Sequence, residues 1–244
     1  VHLLHLGLVQ QARARMQQAH ARADQLEQPV GKMVAIWCDA LMEVRLGNSD
    51  RVSGLADALR ALVEESDLAH GRAAWRWFSG WADARNGEPR EGFRWIREGH
   101  EENTRLGMVA GASETLGYAA EALLLAGDSD GAQRQLERAF EIVNAHGERV
   151  YLPQLFLIEG AIARARGQLA AGLTSVRSAI EEAHAQEAPW LELLALVELC
   201  EHESAKAKDR QALGALVDRL PEAADTDAVA RARKLIRGKR AAST

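Results

Sequence analysis

Proline, cysteine and aromatic residues are all scarce in this sequence: five prolines and two cysteines in 244 residues, with aromatics at 5%. The cysteines, Cys38 and Cys200, stand far apart in sequence and form no C-x-x-C pair, so neither a disulfide framework nor a zinc site is suggested. No run of about 18 apolar residues occurs, so no segment is read as crossing a bilayer. The N-terminus lacks the charged, apolar and small-residue sections of a signal peptide. Excess positive charge is missing too, and a formal net charge of -5 argues against nucleic acid as the main partner. Also absent is G-x-x-x-x-G-K-[ST], without which backbone amides and a lysine have no phosphate cradle. The glycine-rich run at residues 107–117 follows no strand and is not read as a dinucleotide site. The expectation is a cytoplasmic protein without membrane contact. The chain opens on Val1 and not on methionine, and is read as a piece of something longer.

Ala, Leu, Glu and Arg are abundant, and these side chains lose little freedom in a helix. β-branched residues are few. With 47% hydrophobic content the chain can bury a large core, and an all-α protein is expected.

Self-similarity appears at a period of 40: Gly7, Gly47, Gly87, Gly127 and Gly167 are all glycine, and Ala207 breaks the series. A second column, Ala12, Val52, Gly92, Ala132, Gly172 and Ala212, is mostly small. A third, Met16, Ala56, Ile96, Leu136, Val176 and Leu216, is apolar throughout. Ala19, Leu59, Gly99, Ala139 and Ala179 form another, with Arg219 departing, and Ala40, Gly80, Ala120, Gly160 and Cys200 form one earlier in the unit. Each unit reads as a helix pair. The glycine of the Gly127 column ends the first helix, where a left-handed residue is needed. Ser49-Asp50 and Ser129-Asp130 read as N-caps of the second helix, and Glu88-Pro89 as the same start with proline in the first turn. A glycine inside a helix costs about 1 kcal/mol against alanine, so Gly80, Gly99 and Gly160 are read as crossing points where backbones approach.

First helices are expected at 30–47, 68–87, 108–127, 149–167 and 189–207, and second helices at 50–66, 89–106, 129–146, 169–187 and 209–220. Residues 1–7 end like a first helix, 8–27 carry the columns of a second, and a last helix spans 224–238. The predicted architecture is a right-handed α-solenoid of antiparallel helix pairs forming one domain over 1–244. It comprises a partial repeat at 1–27, repeats at 28–67, 68–107, 108–147, 148–187 and 188–222, and a capping helix with a basic tail at 223–244. The N-terminal end of such a row lacks a neighbour.

The spacing of Ala120, Gly127, Ala132, Leu136 and Ala139 resembles the tetratricopeptide repeat over nearly the whole chain. It departs from the usual unit of about 34 residues in its length, and in the polar residues Asp39, Ser79 and Glu159 just before the small column. The run LLLAGDSDGAQRQLERAFEIVNAHGERVYLPQLFLIEGAIARARGQ, residues 123–168, resembles the C-terminal helical repeats of large bacterial signal-transduction ATPases, including those fused to nucleotide cyclase or DNA-binding domains. DTDAVARARKLI, residues 225–236, resembles that family's closing segment. The resemblance implies a non-catalytic sensor or scaffold, attached in the family to an upstream nucleotide-binding module whose residues match no position here.

In such stacks the first helices line the concave face. That geometry places Trp37, Leu41 and Arg45 there from one repeat and Trp77, Trp81 and Arg85 from the next, each set spaced by four, with Glu114, Glu121, Gln154 and Arg164 continuing the groove. Tryptophan and arginine are enriched in binding hot spots. Tryptophan at helical spacing also suits a core, and both readings stay open. The expected partner is a protein segment or small effector on this face, and self-association through the open N-terminal edge is the alternative. His100-Glu101-Glu102-Asn103 lacks the second histidine of a zincin motif and is read as a solvated helix end, and His2 with His5 as incidental to a frayed terminus. No catalytic residue, metal ligand or cofactor is assigned. The basic tail, Arg231, Arg233, Lys234, Arg237, Lys239 and Arg240, reads as cations favoured by a helix C-terminus, with nucleic-acid or membrane contact as the alternative.

Overall fold

The computed structural model describes residues 2–237, and among these every regular element is helical. In chain order the helices are α1 (His2–His5), α2 (Val9–Leu26), α3 (Pro29–Leu46), α4 (Ser49–Ser66), α5 (Ala69–Arg85), α6 (Pro89–Arg105), α7 (Ala112–Leu125), α8 (Ser129–His146), α9 (Leu152–Ala165), α10 (Leu169–Ala185), α11 (Pro189–Glu201), α12 (Ala207–Asp218) and α13 (Asp227–Arg237), with a 3-10 turn at Pro221–Ala223. Where the sequence reads as one domain, the chain divides into two compact units. One comprises residues 14–151, the other the residues up to 13 together with those from 152 onward.

In the unit of residues 14–151 each helix from α3 to α8 packs on the next, and α5 also touches α3 and α7, so these three helices stand side by side. In the other unit α9 to α13 pack in the same serial way, α11 also touches α9 and α13, and α1 packs on α11.

The local reasons for these elements are in the residues. Gly7, Gly47, Gly87, Gly127 and Gly167 all adopt positive φ, between 74° and 105°, and each lies in the turn between two helices. The helix starts sit one residue earlier than Ser49-Asp50 and Ser129-Asp130 suggest: Ser49 and Ser129 are already helical, and the caps are Asn48 and Asp128. Asp128 Oδ1 accepts from the Gly131 amide at 2.8 Å, whereas the Asn48 side chain turns to Glu43. Pro29, Pro89 and Pro189 each occupy a first turn. Helix α7 begins four residues later than expected because Gly107 and Gly111, at φ 74° and 79°, turn the chain ahead of it. Helix α11 stops at Glu201, well short of 207, where His202 turns extended at ψ 140°.

Glycine marks the closest helix crossings. A β-carbon at Gly80 would strike the Gly92 carbonyl and come within 2.8 Å of the Ile96 nitrogen, and one at Gly92 would strike the Gly80 carbonyl in return. Gly160 and Gly172 face each other in the same way, each placing a β-carbon 2.9 Å from the other's carbonyl oxygen. At Gly99 the obstacle is the Ala73 carbonyl at 2.6 Å. Two of the three polar departures from the repeat have partners: Asp39 Oδ2 lies 3.0 Å from His20 Nε2, and Glu159 accepts from Ser175 at 2.7 Å.

The N-terminal edge is covered, contrary to the open end expected from the periodicity. Leu4 and His5 are buried, and Leu220 fills the space over Gly7. Gln11 binds the Glu222 carboxylate through its amide and side chain at 3.1 and 2.7 Å, and Arg13 pairs with Asp225 at 2.8 Å. A period reports neighbours in sequence, and this contact joins opposite ends of the chain.

The crossing points give a paired test. Gly92→Ala should destabilise by about 1–3 kcal/mol, because the β-carbon meets backbone that must move. Gly54→Ala, in α4 where a β-carbon meets nothing within 4 Å, should stabilise by about 1 kcal/mol through helix propensity alone. Chemical denaturation of both variants measures the two signs.

Candidate functional site

Helices α3, α5 and α7 present their side chains around one cavity of about 420 Å³. Trp37 and Leu41 from α3, Trp77 from α5, and Glu114 and Thr115 from α7 form its walls, Asn103 of α6 adds a polar side chain, and Gly147 to Tyr151 close it from the segment after α8.

Beneath the cavity lies a buried polar network. Arg45 reaches from α3 to Glu114 of α7, with Nη2 3.0 Å from Oε1, and both side chains are 5% exposed. The same Nη2 donates to the Tyr151 hydroxyl at 2.7 Å, and the guanidinium stacks 4.9 Å from the Tyr151 ring centroid. Tyr118 donates to Glu114 at 3.0 Å. Two charges out of water need each other. Burial lowers the Arg45 pKa, but Glu114 and the two tyrosines outweigh it and hold the guanidinium above its usual range. Burial and then the Glu114 charge push the Tyr151 hydroxyl, and likewise that of Tyr118, above the ordinary phenol value.

The N-terminus of α7 is satisfied by a carboxylate from outside the helix. Glu148 accepts from the Gly111 amide at 2.6 Å and the Ser113 hydroxyl at 2.6 Å, meeting donors a helix start leaves open and its positive dipole end. The glycine-rich run at 107–117 therefore presents its amides to Glu148.

Of the residues the sequence placed on the inner face, Trp37, Leu41, Trp77 and Glu114 line this cavity, and Arg45 lies under it. Trp81 does not line it: at 2% exposure it is core, edge-on to Tyr118 with ring centroids 6.2 Å apart. Trp77 is 4% exposed and stacks on Tyr118 at 6.0 Å, so it serves the core as well as the wall. Arg85 instead pairs with Glu121 at 2.5 Å and lies 4.6 Å from the Trp81 ring centroid. Gln154 and Arg164 are on α9 in the other unit, where Arg164 pairs with Glu198 of α11.

Asn103, Glu148 and Tyr151 are missing from the sequence-based set. One signal pointed to Tyr151: the column Gly31, Gly71, Gly111 carries glycine until Tyr151 replaces it. His100-Glu101-Glu102-Asn103 is not a solvated end, since Glu102 binds Arg72 at 3.3 Å and also Arg76, both on α5. In the basic tail Arg231 chelates Glu201 at 2.8 and 2.9 Å and Arg233 donates to the Ala224 carbonyl, while Lys239 and Arg240 lie outside the described residues. Among the described residues no group of three or more His, Cys, Asp or Glu is placed to hold a metal ion, and no helix is long and apolar enough to cross a membrane.

A second cavity of about 600 Å³ lies between α6 and α8, with His100, Met108, Val109, Arg138, Ile142 and His146 among its lining. No protein-family model matches the chain, and no curated protein matches it.

His100 gives a pH prediction. Burial, and then the Arg138 charge, hold its pKa below the ordinary 6.5, with Glu101 opposing. The unfolded chain takes up this proton first as pH falls, so stability present above the ordinary value is lost below it. Unfolding free energy should fall as the pH drops below about 6.5, and His100→Gln should flatten that slope in denaturant titrations across the acidic range.

Proposed function

We propose that this chain is a non-catalytic regulatory scaffold, a right-handed helical solenoid with a 40-residue period, that binds a small effector or peptide segment between α3, α5 and α7. The period is supported by the recurrence of left-handed glycines at Gly7, Gly47, Gly87, Gly127 and Gly167 and by the like pairs Gly80–Gly92 and Gly160–Gly172. The resemblance to the helical repeats of bacterial signal-transduction ATPases supplies the setting: a cytoplasmic sensor region of a longer protein.

The observation that carries the binding reading is the cavity of about 420 Å³, walled by Trp37, Leu41 and Trp77 over the buried Arg45–Glu114 pair. Its volume falls in the range of about 300–1,000 Å³ that small-molecule sites occupy, mostly apolar with a few fixed polar groups. Its floor is preorganised, since Arg45, Tyr118 and Tyr151 are bonded to one another or to Glu114 before any ligand arrives. Arg45 keeps its charge and both tyrosines keep their protons near pH 7, so the floor holds one fixed pattern of hydrogen bonds. The covered N-terminal edge at Gln11 and Arg13 favours this reading over dimerisation through that edge. Signalling then follows from differential affinity: a ligand that prefers one arrangement of α3, α5 and α7 shifts the population toward it, by no more than its preference.

Leu41→Arg, which crowds the cavity from a half-buried position, provides the test. In a thermal-shift screen of metabolites and peptides, a binder at 100-fold its Kd should stabilise the wild type by about 2.7 kcal/mol and leave Leu41→Arg unshifted. Equal stabilisation of both proteins, or turnover of a screened compound, would overturn the reading.

A further inference from the structure

The cavity of about 600 Å³ between α6 and α8 shares no residue with the site framed by α3, α5 and α7, and its lining has two characters. Met108 and Val109 from the connection before α7, and Ile142 of α8, are aliphatic, and Val109 is 48% exposed. Arg138 and His100 supply a polar part, and both also line a smaller adjoining cavity. The Arg138 charge disfavours a proton on His100, so the two side chains share one space.

The other charges here are already balanced. Glu101 lies 3.6 Å from Arg105 and 3.8 Å from Arg97, and Thr104 donates its hydroxyl to the His100 carbonyl at 2.9 Å. Arg138 differs. It is exposed, forms no ion pair among the described residues, and donates to the uncharged Gln135 side chain at 3.1 Å. A ligand can therefore reach it, and a guanidinium offers a carboxylate two parallel hydrogen bonds. One unmatched positive charge calls for one negative charge. The exposed aliphatic lining beside it is stabilised when covered by an apolar chain.

Helix ends give the ligand a direction. α6 stops at Arg105 and α8 at His146, and the carbonyls at a helix C-terminus repel an anion. That repulsion fades within the last turn, and Arg138 lies about two turns before His146. The anionic head belongs beside Arg138 and His100, and the apolar part toward Met108 and Val109.

Independently of the site between α3, α5 and α7, we propose that this cavity binds a free aliphatic carboxylic acid of medium chain length, its carboxylate on Arg138 and its chain over Met108, Val109 and Ile142. Octanoate is the probe. Octanol and octylamine replace the negative head by a neutral and a positive one, and hexanoate and acetate shorten the chain.

NMR titration of the intact chain should show octanoate binding about fivefold more tightly than octanol, with octylamine weakest of the three. Affinity should rise about threefold for each added CH2 from hexanoate to octanoate, and acetate should not bind measurably. Arg138→Gln should bring octanoate down to octanol, while Leu41→Arg leaves octanoate binding unchanged. Octanol binding as tightly as octanoate would overturn the anionic head, and acetate matching octanoate would overturn the chain site. Absence of octanoate binding would overturn the ligand class and leave the effector reading standing. Loss of octanoate binding in Leu41→Arg would move the acid to the other cavity and overturn this one. Phosphatidylglycerol vesicles that bind the chain and are not displaced by octanoate would make the surface a membrane contact instead. Octanoate against octanol is measured on the wild type, so a folding defect in Arg138→Gln leaves that comparison decisive.

Discussion

A guanidinium removed from water demands a carboxylate, and in this chain that demand links two helices that are not neighbours in sequence. Arg45 leaves α3 and meets Glu114 of α7 at 3.0 Å, with α5 packed against both helices. Tyr118 and Tyr151 fill the remaining hydrogen-bonding positions. Replacing such a pair by apolar side chains is often harmless, but removing one partner strands a charge at a cost of about 3–5 kcal/mol. The pair therefore fixes which helices stand opposite each other, and the cavity above it inherits that spacing.

That spacing presupposes helix pairs packed to backbone contact. Gly80 against Gly92, and Gly99 against Ala73, bring α6 against α5 so closely that no β-carbon fits between them. Each glycine in a helix forfeits about 1 kcal/mol of propensity, which close packing of Ile96, Phe78 and Trp81 offsets. With α6 so close, α5 is buried on nearly every side: Ala73, Ala74, Trp77, Phe78, Trp81, Ala82 and Ala84 are all core.

The same burial explains which parts could be read from sequence. Glycine columns predicted the helix stops and the crossings at Gly80, Gly99 and Gly160, because each follows from backbone geometry that a single residue controls. Spacing by four predicted which residues share a stripe, but not whether the stripe faces a groove. On a helix enclosed by neighbours, Trp77 and Trp81 are stripe and core at once. Arg85 and Glu121, by contrast, kept to the surface as an ion pair. Glu148 and Tyr151 come from a connection, where helical spacing does not constrain the side chain, and Asn103 lies in a helix end that read as solvated. The cover over the N-terminal edge needs Leu220, Glu222 and Asp225 to return across the chain, which local pattern cannot report.

The coupling between Arg45 and Glu114 is the most direct measure of whether this site is built as described. A double-mutant cycle of Arg45→Met and Glu114→Leu, followed by chemical denaturation, isolates the pairwise term. The buried pair predicts a coupling of about 2–3 kcal/mol, with the double variant more stable than either single one. Coupling within about 0.5 kcal/mol of zero would mean that the two charges are solvated and apart, and that α3 and α7 do not frame a common cavity.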